Sequence, residues 1–288
     1  MDFYKYHGLG NDYIVIDATK RHIILTPEAV RLICDRHYGV GSDGILFGPS
    51  ADTFSRETFG LRIYNPDGSE AEKSGNGLRI FAWFLHERSY ADSLAFTIRT
   101  RGGLVLARIV DSSNKIVEVD MGVPSFYARA AAPDVRLDEL VDQELDFGGR
   151  RCRATFVSVG NPHCVIYGQP VNEAWTREVG PLIENSPIFP GRVNVQFLEV
   201  ISFSEIRIQI WERGVGYTLA SGSSSCAAAA VAHKMGLIGE TVAVNMPGGV
   251  LQVNLAKNST QLTGSVEKVF EGNFSVDLMK KIRDCRAQ

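Results

Sequence analysis

The sequence predicts an α+β protein of two pseudo-symmetric lobes, each a curved, mostly antiparallel sheet around one central helix. Two observations carry this. The first is a duplication. Gly10-Asn11, before the apolar run Tyr13-Ile-Val-Ile-Asp17, returns 150 residues on as Gly160-Asn161 before His163-Cys-Val-Ile-Tyr167. Ser74-Gly75-Asn76-Gly77, opening the apolar run that begins at Leu78, returns 147 residues on as Ser221-Gly222-Ser223-Ser224, and Gly103 returns 146 residues on as Gly249. Matches in one order at a near-constant offset mark a repeat, and two copies give two lobes and not a solenoid. The second observation is the abundance of short segments rich in Val, Ile and Phe, bounded by Gly, Pro, Asn or Asp, which is strand grammar.

The elements follow in chain order. Residues 13–17 read as a strand. Thr26-Pro27-Glu28 starts a helix reaching about Arg36, with a capping hydroxyl and proline at the first helical position. After a strand over 61–65, a helix runs from Ser74 to about Arg88, with Leu78, Phe81, Ala82 and Leu85 on one stripe. Trp83 and Phe84 pack that helix into its lobe. Strands over 94–100, 104–110 and 116–121 complete the first lobe, and the seam falls near Gly122-Val-Pro124. The stretch from Asp138 to Glu144 is acidic and reads as a surface excursion. In the second lobe, strands are expected over 154–159, 163–167, 193–201, 206–212 and 242–246, and a helix runs from Ser221 to a glycine cap at Gly236. Residues after about Gly264 have no partner in the repeat and are expected to return to the first lobe. The domains are therefore 1–121 with about 265–288, and 122–264, with the site expected in the cleft between them.

Composition narrows the function. The chain has 288 residues, enough for two ordinary domains, with 44% hydrophobic and 22% charged residues. A net charge of −3 argues against nucleic acid as partner. The first residues lack the apolar core of a secretory signal, and no run approaches the ~18 apolar residues of a membrane span. Five cysteines without a C-x-x-C pair indicate neither a disulfide framework nor a zinc ribbon. A reduced, cytoplasmic setting, a small-molecule partner, no membrane and no metal are the expectations.

The chemistry is expected at the two Ser-Gly helix starts. A helix N-terminus presents N–H groups without intrahelical acceptors and a partial positive charge, so it binds carboxylates. If both starts serve one site, an amino acid's carboxylate sits between them, with the side chains at 74 and 221 facing its Cα from opposite sides. That suits inversion at Cα, in which one group removes a proton and the other delivers one, while the N–H dipoles stabilise the enolate-like oxygens. Read singly, each start is better explained as an ordinary serine-capped helix packed in a core; the shared register favours the functional reading.

At these residues the chain resembles the diaminopimelate epimerase family. The resemblance spans nearly the whole length: His7-Gly-Leu-Gly-Asn-Asp12, Arg36-His-Tyr-Gly-Val-Gly-Ser-Asp43, Asn65-Pro-Asp-Gly-Ser-Glu70, Gly75-Asn-Gly77, Gly160-Asn-Pro-His163, Asn194, Trp211-Glu-Arg-Gly214 and Pro247-Gly-Gly249. It implies two lobes flanking a cofactor-independent site that epimerises a diamino diacid, LL- to meso-diaminopimelate, in lysine and cell-wall synthesis. By motif match, Asn11, Asn65, Asn161, Asn194, Glu212 and Arg213 would hold the substrate's distal amino acid group. Gly75, Asn76, Gly222 and Ser223 would form the carboxylate-binding helix starts, and His163 and Glu212 would tune the catalytic pair. The resemblance is also compatible with a homodimer.

The chain departs from the family's pattern at the catalytic pair, carrying Ser74 and Ser221 where the family has cysteines. A thiol becomes a thiolate readily beside a helix N-terminus, and a serine hydroxyl is a far weaker acid. A second departure is Tyr217, where the family usually has glutamate in Glu-Arg-Gly-x-Gly-Glu-Thr. Three explanations stand: an isomerase using other bases, with His163, Glu212, Glu72 and Tyr217 as candidates; a relative that binds an amino acid or related acid without epimerising diaminopimelate, or performs another proton transfer; and deliberate replacement of both cysteines, against which Tyr217 speaks. Cys226 lies well round its helix from Ser221 and reads as core, and Cys164 points away from the site by strand alternation. His22, His37 and His233 read as surface or capping groups, and Glu70 and Glu72 as helix-dipole partners.

Overall fold

The computed structural model describes residues 1–20, 24–50, 57–127, 140–255 and 259–285. The chain divides into two compact units, Met1–Val119 with Gly264–Gln288, and Asp120–Thr263. In the first, β1 (Asp2–Gly8) and β2 (Asn11–Ile16) form an antiparallel hairpin, and α1 (Pro27–Cys34) leads to β3 (Ile45–Ser50), which runs parallel to β2. Parallel neighbours require a crossover, and α1 supplies it. Next, β4 (Thr58–Tyr64) runs antiparallel to β3, and β5 (Glu70–Ala71) folds back on β4. Then α2 (Gly75–Glu87) crosses to β6 (Ala95–Thr100), parallel to β4, and β7 (Gly103–Asp111) and β8 (Ile116–Asp120) continue antiparallel.

The second unit repeats this plan. β10 (Arg151–Ser158) pairs with β9 (Gln143–Asp146) and with β11 (Pro162–Tyr167), and α3 (Glu173–Glu184) crosses to β12 (Asn194–Ser202), parallel to β11. β13 (Glu205–Glu212) is antiparallel to β12 and carries β14 (Gly216–Thr218). α4 (Gly222–Lys234) crosses to β15 (Thr241–Met246), parallel to β13, followed by antiparallel β16 (Gly249–Asn254) and β17 (Gln261–Ser265). The chain then returns to the first unit, where β18 (Glu267–Asn273) pairs with β1 and α5 (Val276–Asp284) sends Ile282 into the core beside Val30 and Ile33.

Register fixes which residues are counterparts. Ile14 and Tyr64 both oppose Ile45, as Cys164 and Trp211 both oppose Val195. It follows that Tyr13 corresponds to His163, Gly44 to Asn194, Asn65 to Glu212, and Glu70 to Tyr217.

Three expectations change. The helix after Ser74 has no exposed face: Gly75 through Leu85 are all buried, and Gly222 and Ser224 through Ala232 of α4 likewise. A helix enclosed on every side belongs at the centre of a unit, which is where the stripe reading fell short. Second, α3 escapes a propensity reading because Gly180 and Pro181 stand within it. Gly180 is required by packing, since a Cβ there would meet Trp211 at 2.7 Å. Third, the acidic stretch ends in structure: Leu140 is buried and Gln143–Asp146 form a strand, whereas Asp138 lies outside the described residues, as does His22.

Candidate active site

Each central helix begins at an extended serine that caps it. Ser74, with φ −142° and ψ 119°, accepts the Gly77 N–H on Oγ at 3.1 Å. Ser221, with φ −145° and ψ 126°, accepts the Ser224 N–H at 3.4 Å. In both, the cap consumes the third N–H of the helix, so the N–H groups of Gly75 and Asn76, and of Gly222 and Ser223, have no acceptor within the helix. Glycine at the first helical position keeps side chains off that edge, and neither first turn carries an acidic residue. A helix start of this kind favours an anion through its dipole.

The two serines differ in their neighbours. Ser74 is half-buried, and its Oγ lies 3.0 Å from Tyr13 Oη. The Tyr13 ring occupies space that a side chain at position 44 would need, because a Cβ on Gly44 would meet Tyr13 Cε1 at 2.6 Å. Ser221 is buried, and its Oγ lies 3.4 Å from Ser223 Oγ. Behind it, Gln196 donates to Ser224 Oγ at 2.9 Å.

His163 is wholly buried, and its Nε2 lies 2.9 Å from Asn161 Oδ1. Burial pushes its pKa down to about 3, with Gln196 opposing and the Arg213 charge assisting. The imidazole is therefore neutral near pH 7 and too weak a base to ionise a serine. What it does here is hold the Asn161 amide.

The remaining amides are held in different ways. Asn11 donates to Asp43 at 3.0 Å and accepts from Asn76 Nδ2 at 2.9 Å, while Asn76 accepts from the buried Arg79 at 2.9 Å. Asp43 also takes the Asp12 N–H, and Arg36 bridges both carboxylates at 2.8 Å. Burial alone would raise the Asp12 pKa, but hydrogen bonds from Arg36 and Lys5 outweigh it and hold the carboxyl below its usual range. Asp43 is pushed up by burial and by the Asp12 charge. Asn194 is buried, donating to Pro162 O at 2.9 Å and accepting the Arg213 N–H at 3.0 Å, so it braces the turn. The exposed Arg213 side chain donates to Gly191 O at 3.2 Å. Asn65 donates to Ser69 Oγ at 2.9 Å, and Glu212 accepts from Thr218 Oγ1 at 3.4 Å.

Two of the alternative bases, Tyr217 and Glu72, have the following surroundings. Tyr217 donates to Gln209 at 2.8 Å, with the Arg177 guanidinium 4.5 Å from its ring centroid. Glu72 is exposed, and Glu70 pairs with Arg62 at 2.9 Å. Cys164 and Cys226 are wholly buried, and burial raises the Cys164 thiol far above its usual range. Among the described residues no group of His, Cys, Asp or Glu side chains gathers as a metal site, and no helix is long and apolar enough to cross a membrane. Tyr13, in contact with Ser74, is the residue of the candidate site that sequence reasoning missed. The signal was present, since Asn11-Asp-Tyr13 aligns with Asn161-Pro-His163 in the repeat.

A family profile described as diaminopimelate epimerase matches residues 3–127 and 155–269. A protein of Nostoc sp. named diaminopimelate epimerase 2 is 50% identical over 283 residues, covering 96% of this chain and 97% of its own. A diaminopimelate epimerase of Moorella thermoacetica is 37% identical, covering 96% of this chain and all of its own. In fold, the chain is similar to a probable proline racemase from Agrobacterium radiobacter solved with bound carbonate, at a TM-score of 0.69 and 15% identity, covering 96% and 93% of the two chains.

Proposed function

The chain belongs to the diaminopimelate epimerase family, and from that premise we propose that it transfers a proton at Cα of a diamino diacid, interconverting LL- and meso-diaminopimelate without a cofactor. The observation that carries this is the matched pair of helix starts, each serine-capped, glycine-opened and free of acidic residues in its first turn. On this reading the N–H groups of Gly75, Asn76, Gly222 and Ser223 take the carboxylate at the reacting centre, and their dipoles stabilise the charge that develops as Cα–H breaks. Ser74 and Ser221 stand at the two proton-transfer positions, one from each unit. Asn11, Asn65, Asn161, Asn194, Glu212 and Arg213 recognise or frame the distal amino acid group, with His163 holding Asn161. On this reading the domain division is that of the two units, Met1–Val119 with Gly264–Gln288, and Asp120–Thr263. A homodimer acting in the cytoplasm completes the proposal.

A second reading is a relative that keeps the binding set without epimerising diaminopimelate. It is favoured by one observation: each serine Oγ already accepts its own helix N–H, and His163, the histidine that the family resemblance offers, is too weak a base to ionise a serine. Incubation with each diaminopimelate stereoisomer in D₂O separates the two. Epimerisation places deuterium at Cα. Thermal stabilisation by the ligand with no Cα deuterium at any pH tested sinks the first reading and leaves the second.

A further inference from the structure

We propose that Tyr13 is a positioning residue for proton transfer through Ser74, acting on one face of Cα only; this rests on the isomerase reading above. The duplicated strands set a tyrosine and a histidine at corresponding places, and the two point to different partners. His163 engages Asn161 at 2.9 Å. Tyr13 engages the serine itself at 3.0 Å. Gly44, at the place corresponding to Asn194, leaves the room its ring takes.

With the Gly77 N–H at 3.1 Å and the phenol at 3.0 Å, Ser74 Oγ is held from two sides. Both contacts stabilise an oxygen that loses its own proton. The step balances without an outside reagent. In the donating direction, Ser74 O–H breaks as Cα–H forms, and the Tyr13 O–H proton passes to Ser74 Oγ, leaving phenolate. In the abstracting direction each transfer reverses: Ser74 Oγ passes its proton to the phenolate oxygen while it takes the Cα proton. Among the described residues Ser221 Oγ has a second serine hydroxyl at 3.4 Å and a cap bond of the same length, so the two faces are served unequally.

The test is deuterium wash-in at Cα of recovered substrate, run separately from each stereoisomer in D₂O. Wild type exchanges both. Tyr13→Phe keeps the ring that fills the space beside Gly44 and removes the hydroxyl. It should slow wash-in by about tenfold or more for the stereoisomer whose Cα–H faces Ser74, and leave the other within about twofold. Ser74→Ala should single out the same stereoisomer. Equal slowing of both stereoisomers, or of neither, overturns the proposal while leaving epimerisation intact. Absence of wash-in by wild type from every stereoisomer removes the isomerase reading and this proposal with it.

Discussion

The His163 ring nitrogen Nε2 and the Asn161 amide oxygen lie 2.9 Å apart, inside a site where the ring has no contact with solvent. With Asn161 Oδ1 as acceptor, Nε2 carries the hydrogen. The folded imidazole is pushed down to about 3 from an ordinary value of 6.5, chiefly by burial. The unfolded chain therefore takes up this proton first as pH falls. The stabilisation is whole above about pH 6.5 and is lost progressively toward pH 3. The expected slope from this residue is about 1.4 kcal/mol per pH unit. Urea denaturation from pH 7.5 to 4 measures it, and His163→Gln should flatten that limb. An unchanged slope in the variant would assign the acid sensitivity to another group.

Asn194 and Arg213 should separate stability from recognition. Asn194→Ala strands the Pro162 carbonyl and the Arg213 N–H, so a loss of about 1–3 kcal/mol is expected in the denaturation midpoint. Arg213→Ala removes an exposed guanidinium and should shift stability by no more than about 0.5 kcal/mol. Its effect belongs to binding, where loss of a charge-assisted contact to carboxylate should raise the Kd for meso-diaminopimelate by about ten- to a hundredfold. Calorimetric titration of both variants decides the assignment. An unaltered Kd for Arg213→Ala removes that residue from the contact set.

The folding plan was legible because the repeat is written in the turn and cap residues, which act locally. Ser74 and Ser221 cap their helices where the offset puts them, and Thr26-Pro27 starts α1. α3 was hidden by Gly180 and Pro181, whose cost is repaid by a distant contact with Trp211 that no local window contains. The duplication itself held the missing signal, since a helix between β2 and β3 implies one between β11 and β12. The candidate site residues were named by motif, and their hydrogen-bond partners could not be. Nothing in the spacing of Asn161-Pro-His163 tells that the ring turns to its own neighbour, or that Tyr13 turns to Ser74 across 61 residues.

Tyr217 shows how a duplicated place can change partners and keep its structural task. In the first unit Arg62 and Glu70 make an ion pair at 2.9 Å; at the corresponding places in the second, Tyr217 donates to Gln209 at 2.8 Å. The phenol is thereby spent on the neighbouring strand β13. Tyr217→Phe should cost about 0.5–1.5 kcal/mol in stability and leave the Cα exchange rate within about twofold. A loss of exchange without a loss of stability would return Tyr217 to the list of bases.

Restoring thiols at both helix starts tests how much of the chemistry the serines limit. A cysteine at position 74 or 221 would stand at the positive end of a helix, where thiolate is favoured and the free thiol pKa of about 8.5 falls. A serine hydroxyl gains from the same dipole but starts from a far higher value, and each 1.36 kcal/mol in the barrier is about tenfold in rate. The double variant Ser74→Cys with Ser221→Cys should therefore exchange Cα deuterium at least about tenfold faster than wild type, and faster than either single variant. The caps should weaken at the same time. Each Oγ now accepts an N–H, at 3.1 Å from Gly77 and 3.4 Å from Ser224, and sulfur accepts less well. The expected cost is about 0.5–1 kcal/mol per site, read as a lowered denaturation midpoint. A destabilised double variant with no gain in exchange would mean that more than the thiols is missing, and would move the assignment to a binding relative.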